Sequence, residues 1–177
     1  MFLEALSLLA DETRKKAKFL IIGSHNPKHN YYQEVVNKAA LFDEVTIIPS
    51  IPQEEVMRHY QKAHVVVSTS LTDPMPLVVT QGLMLGMPCL VSDAIGQADL
   101  LKDEGVLDVY PAGDAKALAE RLAYYINNAD KGALENPRAR SVYKKYFSVE
   151  SFEKRLAERI DELLAQRRSQ APQINAM

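Results

Sequence analysis

The sequence predicts an α/β protein: a Rossmann-like, doubly wound parallel sheet followed by C-terminal helices. Three observations carry that expectation. Five short apolar runs recur between longer amphipathic stretches, and this alternation builds a parallel sheet with helices on its faces. The runs are continuously apolar rather than alternating, as in Lys18-Phe19-Leu20-Ile21-Ile22-Gly23, which suits strands buried on both faces. Each run ends in a polar loop, the position where open α/β sheets bind ligands.

Taken in order, Phe2, Leu3, Leu6, Leu9 and Ala10 recur at helical spacing, so residues 1–13 read as one amphipathic helix. The strand at 18–23 follows, then the loop Ser24 to His29. Tyr31 to Ala40 reads as a helix, Val45 to Ile48 as the next strand, and Pro49-Ser50-Ile51-Pro52 as its loop. Gln53-Glu54-Glu55 opens a helix to Lys62, with acids at its positive end. Ala63 to Val67 is a strand, and Pro88 to Ser92 another. Ala98 to Lys102 reads as a short helix, Val106 to Tyr110 as a strand, and Pro111-Ala112-Gly113-Asp114 as a turn. Asp114 caps a helix over Ala115 to Asn127, with Leu118, Leu122 and Ile126 on its core face. After a polar joint, two helices cover about Arg138 to Tyr146 and Ser148 to Arg167, the second capped by Ser148. This gives a sheet domain over 1–130, C-terminal helices packing on it over 131–168, and a disordered tail over 169–177.

The stretch Ser68 to Asp93 organises the rest. It holds a polar loop, Thr69 to Asp73, and an apolar helix starting near Pro74 or Pro76. Gly86-Met87-Pro88 stops that helix, because Gly suits the C-terminal cap and Pro cannot continue it. The first amides, around Pro76-Leu77-Val78, have no intrahelical acceptors, and the helix dipole adds roughly half a positive charge there. A phosphate fits such a corner without a basic side chain. Asp73 lies just before the helix, and Gln81, about one turn past Leu77, can face the same pocket. Phosphate on backbone amides, with an acid and an amide nearby, suits a nucleotide-sugar.

Composition excludes other classes. The chain has 177 residues, enough to bury a substantial core, and a net charge of −2, which offers no basic surface for nucleic acid. No apolar run approaches the ~18 residues that cross a membrane. The single cysteine, Cys89, cannot form an internal disulfide, which fits a reducing cytoplasm. No His, Cys or acid spacing reads as a metal site. Met75, Met84 and Met87 read as core fillers. His25, His29 and Lys28 are plain loop residues first and nucleotide contacts second. There is no Gly-x-Gly-x-x-Gly after Gly23, no Walker loop and no nucleophile elbow.

The run Asp73-Pro74-Met75-Pro76-Leu77-Val78-Val79-Thr80-Gln81-Gly82-Leu83-Met84-Leu85-Gly86-Met87-Pro88 resembles the core motif of family 4 glycosyltransferases of the GT-B fold: acid, seven residues, Glu, then a small-residue helix ending Gly-x-Pro. The resemblance extends from the strand at Ala17 to the helix ending near Asn127. It implies the donor-binding domain of a retaining, nucleotide-sugar-dependent transferase, with no obligatory metal and no cofactor beyond the donor. It implies that Asp73 holds the donor sugar's hydroxyls and that the amides near Pro76, Leu77 and Val78 hold the distal phosphate. Gln81 then holds the ribose, Gly23, Ser24, Ser50 and Ile51 lie near the nucleotide, and Gly96 approaches the sugar or phosphate. Two departures stand out: Asp73 replaces a family Glu with the same charge, and Gln81 replaces a Glu with an uncharged amide.

The family's domain opens with a strand bearing a Gly-Arg and a Lys-Gly pair, and Met1 to Leu6 looks like the helix after it. The chain therefore reads as a fragment, inactive alone, of an enzyme acting on a glycan or lipid-linked acceptor bound by an N-terminal domain. By analogy the pathway is cell-surface polysaccharide synthesis, in the cytoplasm and peripheral to the inner face of the membrane. In the family the last helix crosses back to the N-terminal domain; here Phe152, Leu156, Ile160 and Leu163/Leu164 are left exposed or pair with a second copy as a homodimer. The alternative reading is a degenerate, non-catalytic module acting in assembly. A phosphate-sensing receiver ranks lower, because it needs a cluster of acids at the strand ends.

Overall fold

The computed structural model describes residues 1–23, 26–129 and 136–170. Among these, five strands run parallel: β1 (Phe19–Gly23), β2 (Val45–Pro49), β3 (Val66–Ser68), β4 (Cys89–Ser92) and β5 (Leu107–Tyr110). The helices are α1 (Phe2–Leu8), α2 (Asp11–Arg14), α3 (Asn30–Ala39), α4 (Gln53–Tyr60), α5 (Leu77–Leu85), α6 (Gly96–Leu100), α7 (Ala115–Asn128), α8 (Ala139–Tyr146) and α9 (Val149–Gln170). The doubly wound α/β architecture is the one expected.

Two details differ. The single helix expected over 1–13 is broken, because Leu9 and Ala10 take extended backbone angles that turn the Leu9 side chain into the core. The strands also form two ladders rather than one, β1-β2 and β3-β4-β5. Gly23 pairs with Pro49 at the end of the first ladder, and Ser68 pairs with Val91 in the second.

Handedness fixes how the ladders lie. The residues of α1, α3 and α7 share one core with Phe19, Leu90 and Tyr110. Those of α5, α6 and α8 share a second core with Val66, Cys89 and Val91, joined by Tyr60 of α4. These are the two faces of the sheet. Parallel crossovers are right-handed. A crossover through α3 on one face and one through α5 on the other therefore step in opposite lateral directions. Right-handedness thus implies the order β2-β1 then β3-β4-β5, with the reversal between β1 and β3, which are not themselves hydrogen-bonded as strands. Burial separates the two ladders: all four residues of β4, the middle strand of its ladder, are buried, whereas in β1 Phe19 is buried and Leu20 exposed.

Gly82 and Gly86 shape α5. A Cβ on Gly82 would lie 2.7 Å from the Cys89 sulfur, so glycine lets the helix lie close on β3 and β4. Gly86 has φ of 79° and ends the helix, with the Met87 N–H donating to the Gly82 carbonyl and the Gly86 N–H to that of Leu83. That is the Schellman arrangement the Gly-Met-Pro run implies. α8 packs against α5 through Ala139 and Val142, while the apolar residues of α9 stay exposed.

Candidate functional site

The loop between β3 and α5 is held by its own carbonyls. The Tyr110 hydroxyl donates to the Ser68 carbonyl at 3.2 Å, and the Ser92 hydroxyl donates to that of Ser70 at 2.5 Å. The Gly96 N–H donates to the Asp73 carbonyl at 3.0 Å, beside a parallel bridge between Asp73 and Ile95. The Gln97 amide donates to the Pro76 carbonyl at 3.2 Å. Four carbonyls over residues 68–76 are thus fixed by β4, β5 and the start of α6. A backbone tied this often is organised before any ligand arrives.

What this loop presents is the start of α5. Pro76 is the N-cap, and no side chain caps the helix. The sequence places the helix start at Pro74 or Pro76 and counts Pro76 among the amide donors. The structure corrects both points: the helix begins at Leu77, and a proline nitrogen carries no hydrogen to donate. The Val79 and Thr80 N–H groups turn back to the Pro76 carbonyl, at 3.1 and 3.4 Å. The donors left over are the N–H groups of Leu77 and Val78, on residues 71% and 42% exposed. These two amides, at the positive end of a helix, form an anion seat.

Asp73 is half-buried in this loop, and its Oδ1 accepts from the Met75 N–H at 3.0 Å. That bond closes a tight turn. The second carboxylate oxygen carries no hydrogen bond among the described residues. Gln81 is half-buried one turn into α5, and its amide has no hydrogen bond to a described residue. Met75, expected in the core with Met84 and Met87, is 45% exposed because the Asp73 turn throws it outward; Met87 is buried.

Gly96 has a packing reason for being glycine. A Cβ there would lie 2.3 Å from the Pro74 carbonyl oxygen, so the glycine is required by the junction of the two loops. Gly23 and Ser50 are exposed and Ile51 half-buried, at the carboxyl ends of the paired strands β1 and β2. Ser24 and His25 lie outside the described residues. The structure therefore gathers the expected residues in two groups, one at each ladder's carboxyl end: Gly23, Ser50 and Ile51, and Asp73, Leu77, Val78, Gln81 and Gly96. The reversal of strand order falls between them, which is where open α/β sheets take ligands.

Sequence reasoning missed Ser92, Gln97, Thr80 and Tyr110, which hold the loop rather than face solvent. Tyr110 is buried, and burial pushes its hydroxyl up to about 12, so it donates throughout the physiological range. Buried polar residues next to a polar loop were the only signal available for them. Among the described residues, no three His, Cys, Asp or Glu side chains are placed to hold a metal, and no helix is long and apolar enough to cross a membrane.

Comparison with known proteins bears on the family and the fold. The model of the family described as glycosyl transferases group 1 covers residues 1–147. No curated protein matches the chain. Among solved structures, the chain is similar to HepE of Anabaena in complex with UDP, with TM-score 0.74 and 17% identity over 91% of this chain and 44% of that one. It is similar to sucrose-phosphate synthase of Thermosynechococcus elongatus, with TM-score 0.72 and 22% identity over 93% of this chain and 43% of that one. It is also similar to a glycosyltransferase from Rickettsia africae, with TM-score 0.76 and 18% identity over 92% and 43%. The chain spans less than half the length of these proteins, and at such identities the likeness is one of fold.

Proposed function

The chain belongs to the glycosyl transferases group 1, and we propose that it is the donor-binding part of an enzyme that moves a sugar from a nucleotide-diphospho-sugar to an acceptor. One observation carries the reading. The Leu77 and Val78 amides stand uncapped at a pinned helix start, just past the carboxyl end of β3. In this role they hold the distal phosphate and stabilise it as the leaving group, because fixed dipoles aimed at developing charge cost no reorganisation during reaction. The free oxygen of Asp73 takes donor-sugar hydroxyls, and Gln81, which both donates and accepts, takes the ribose. The base lies toward Gly23, Ser24, Ser50 and Ile51. The HepE neighbour in complex with UDP-glucose supports a uridine nucleotide as the first ligand to try.

The finer proposals follow the same reading. Transfer retains the anomeric configuration and needs no metal. The acceptor is a glycan or lipid-linked sugar held by the part of the protein outside these residues, in cell-surface polysaccharide synthesis at the cytoplasmic side of the membrane. The 177-residue chain binds donor weakly and transfers nothing alone.

An amide at Gln81, where the resembled motif has an acid, favours a second reading: a module that has lost chemistry and serves assembly. Calorimetric titration of UDP, GDP and their sugars separates the two. Saturable binding that weakens in Asp73→Ala supports the donor site. No binding of any nucleotide up to millimolar concentration leaves the assembly module.

A further inference from the structure

We propose that Gln97 is the positioning residue of the phosphate seat; the inference rests on the donor-binding reading above. Gln97 sits in α6 and is fully buried. Its amide nitrogen donates to the Pro76 carbonyl at 3.2 Å and to the Thr80 hydroxyl at 2.9 Å. Its Oε1 is buried and has no partner among the described residues. The orientation of the amide is set by chemistry, since a carbonyl only accepts and the nitrogen must face Pro76.

A buried acceptor without a partner opposes folding. An apolar side chain of similar size, such as methionine, fills the same space without that cost. The two bonds donated by its nitrogen and the unpaired acceptor roughly cancel, so stability alone gives glutamine no advantage here. Geometry does. The Pro76 carbonyl and the Leu77 N–H belong to one planar trans peptide, so they point in opposite directions. Gln97 holds the oxygen from the inside, and the Leu77 N–H is thereby turned outward, where Leu77 is exposed. The same carbonyl accepts from Val79 and Thr80, and Gln97 adds Thr80 Oγ1, so one side chain locks the whole first turn of α5. Binding then pays no ordering cost for that amide.

The test compares UDP with uridine, which lacks the diphosphate, by calorimetry on the wild-type chain, Gln97→Met and Gln97→Asn, with thermal unfolding of each. Asparagine keeps the polarity but is one methylene short of the Pro76 carbonyl, and it decides the question if the methionine variant does not fold. The expected result is UDP affinity about tenfold weaker in both variants, the loss that goes with impairing one hydrogen bond to a charged group. Uridine affinity stays within about twofold, and Gln97→Met unfolds near the wild-type temperature. Equal UDP affinity in wild type and variants overturns the positioning role. Parallel loss of UDP and uridine also overturns it, since that is the mark of general damage. Failure of the wild-type chain to bind UDP overturns the donor reading instead.

Discussion

Replacing Leu77 by proline deletes one hydrogen from the seat and little else. Leu77 is the first residue of α5 and is 71% exposed, so its side chain contributes little to the core. Proline is at ease at this position, where its fixed φ suits the helix and its missing N–H has no intrahelical acceptor. The residue before a proline must be extended, and Pro76 already is, with φ −60° and ψ 121°. The fold therefore tolerates the change. What disappears is an N–H that, in the proposed role, bonds a phosphate oxygen. A hydrogen bond to a charged group contributes about 1.5–3 kcal/mol. That range corresponds to roughly a 10- to 150-fold loss of UDP affinity. Leu77→Ala, which keeps the N–H, is the control and stays within about twofold of wild type. Calorimetry with UDP and with uridine reads both effects. Leu77→Pro binding UDP as wild type does, with an intact fold by circular dichroism, would refute the seat.

Three further outcomes follow from the same coordinates. Gly96→Ala places a methyl 2.3 Å from the Pro74 carbonyl, and overpacking of this kind costs about 1–3 kcal/mol. The unfolding temperature should fall by roughly 2–12 °C, and an unchanged value would mean that the two loops are not locked. The Glu104 carboxyl is held below its ordinary range by hydrogen bonds from the Lys145 ammonium and the Tyr146 hydroxyl, with Arg138 adjacent. A lowered folded value means a contribution fully present above about pH 4.5 and lost as pH falls through the lowered value. The gap in unfolding temperature between wild type and Glu104→Gln should be constant above about pH 5 and close in more acid solution. Backbone alternation turns the Leu20, Ile22 and Val67 amides away from the partners of β1 and β3, since Phe19 and Val66 donate toward β2 and β4. In the 177-residue chain these three should exchange hydrogen at least about tenfold faster than Ile21 and Ser68. Slow exchange would show that the edges are covered.

The order of elements was legible because apolar runs and turn residues act locally. Gly86-Met87-Pro88 specifies a helix stop whatever surrounds it, and the structure shows that stop. The break at Leu9 and Ala10 was not legible. Helical spacing continues through both residues, and only the pull of the core on Leu9 interrupts it. The site divides the same way. Asp73, Leu77 and Val78 sit on one continuous motif and could be named together. Their supports, Ser92, Gln97 and Tyr110, reach the loop from other elements, up to 42 residues away. No local pattern announces a contact of that range. Gly96 was legible by its place after a strand, but its packing against the carbonyl of Pro74 was not, because that contact joins residues 22 apart.

The two halves of the site differ in how firmly they are held, and this bears on how a donor would be bound. The Asp73 to Val78 half is tied through four carbonyls to α6 and to the three-stranded ladder, whose middle strand is wholly buried. The Gly23 and Ser50 half ends a two-stranded ladder with an exposed face at Leu20, and no strand pairing joins it to β3. Two strands alone are marginal, so their position depends on the shared core beneath α1 and α3. A diphosphate needs only the first half, which is already rigid. A base that bridges to the second half must also hold that ladder in register, and the free energy spent doing so is subtracted from affinity. Anything that ties the facing edges of β1 and β3 together should therefore strengthen binding of a whole nucleotide more than binding of pyrophosphate.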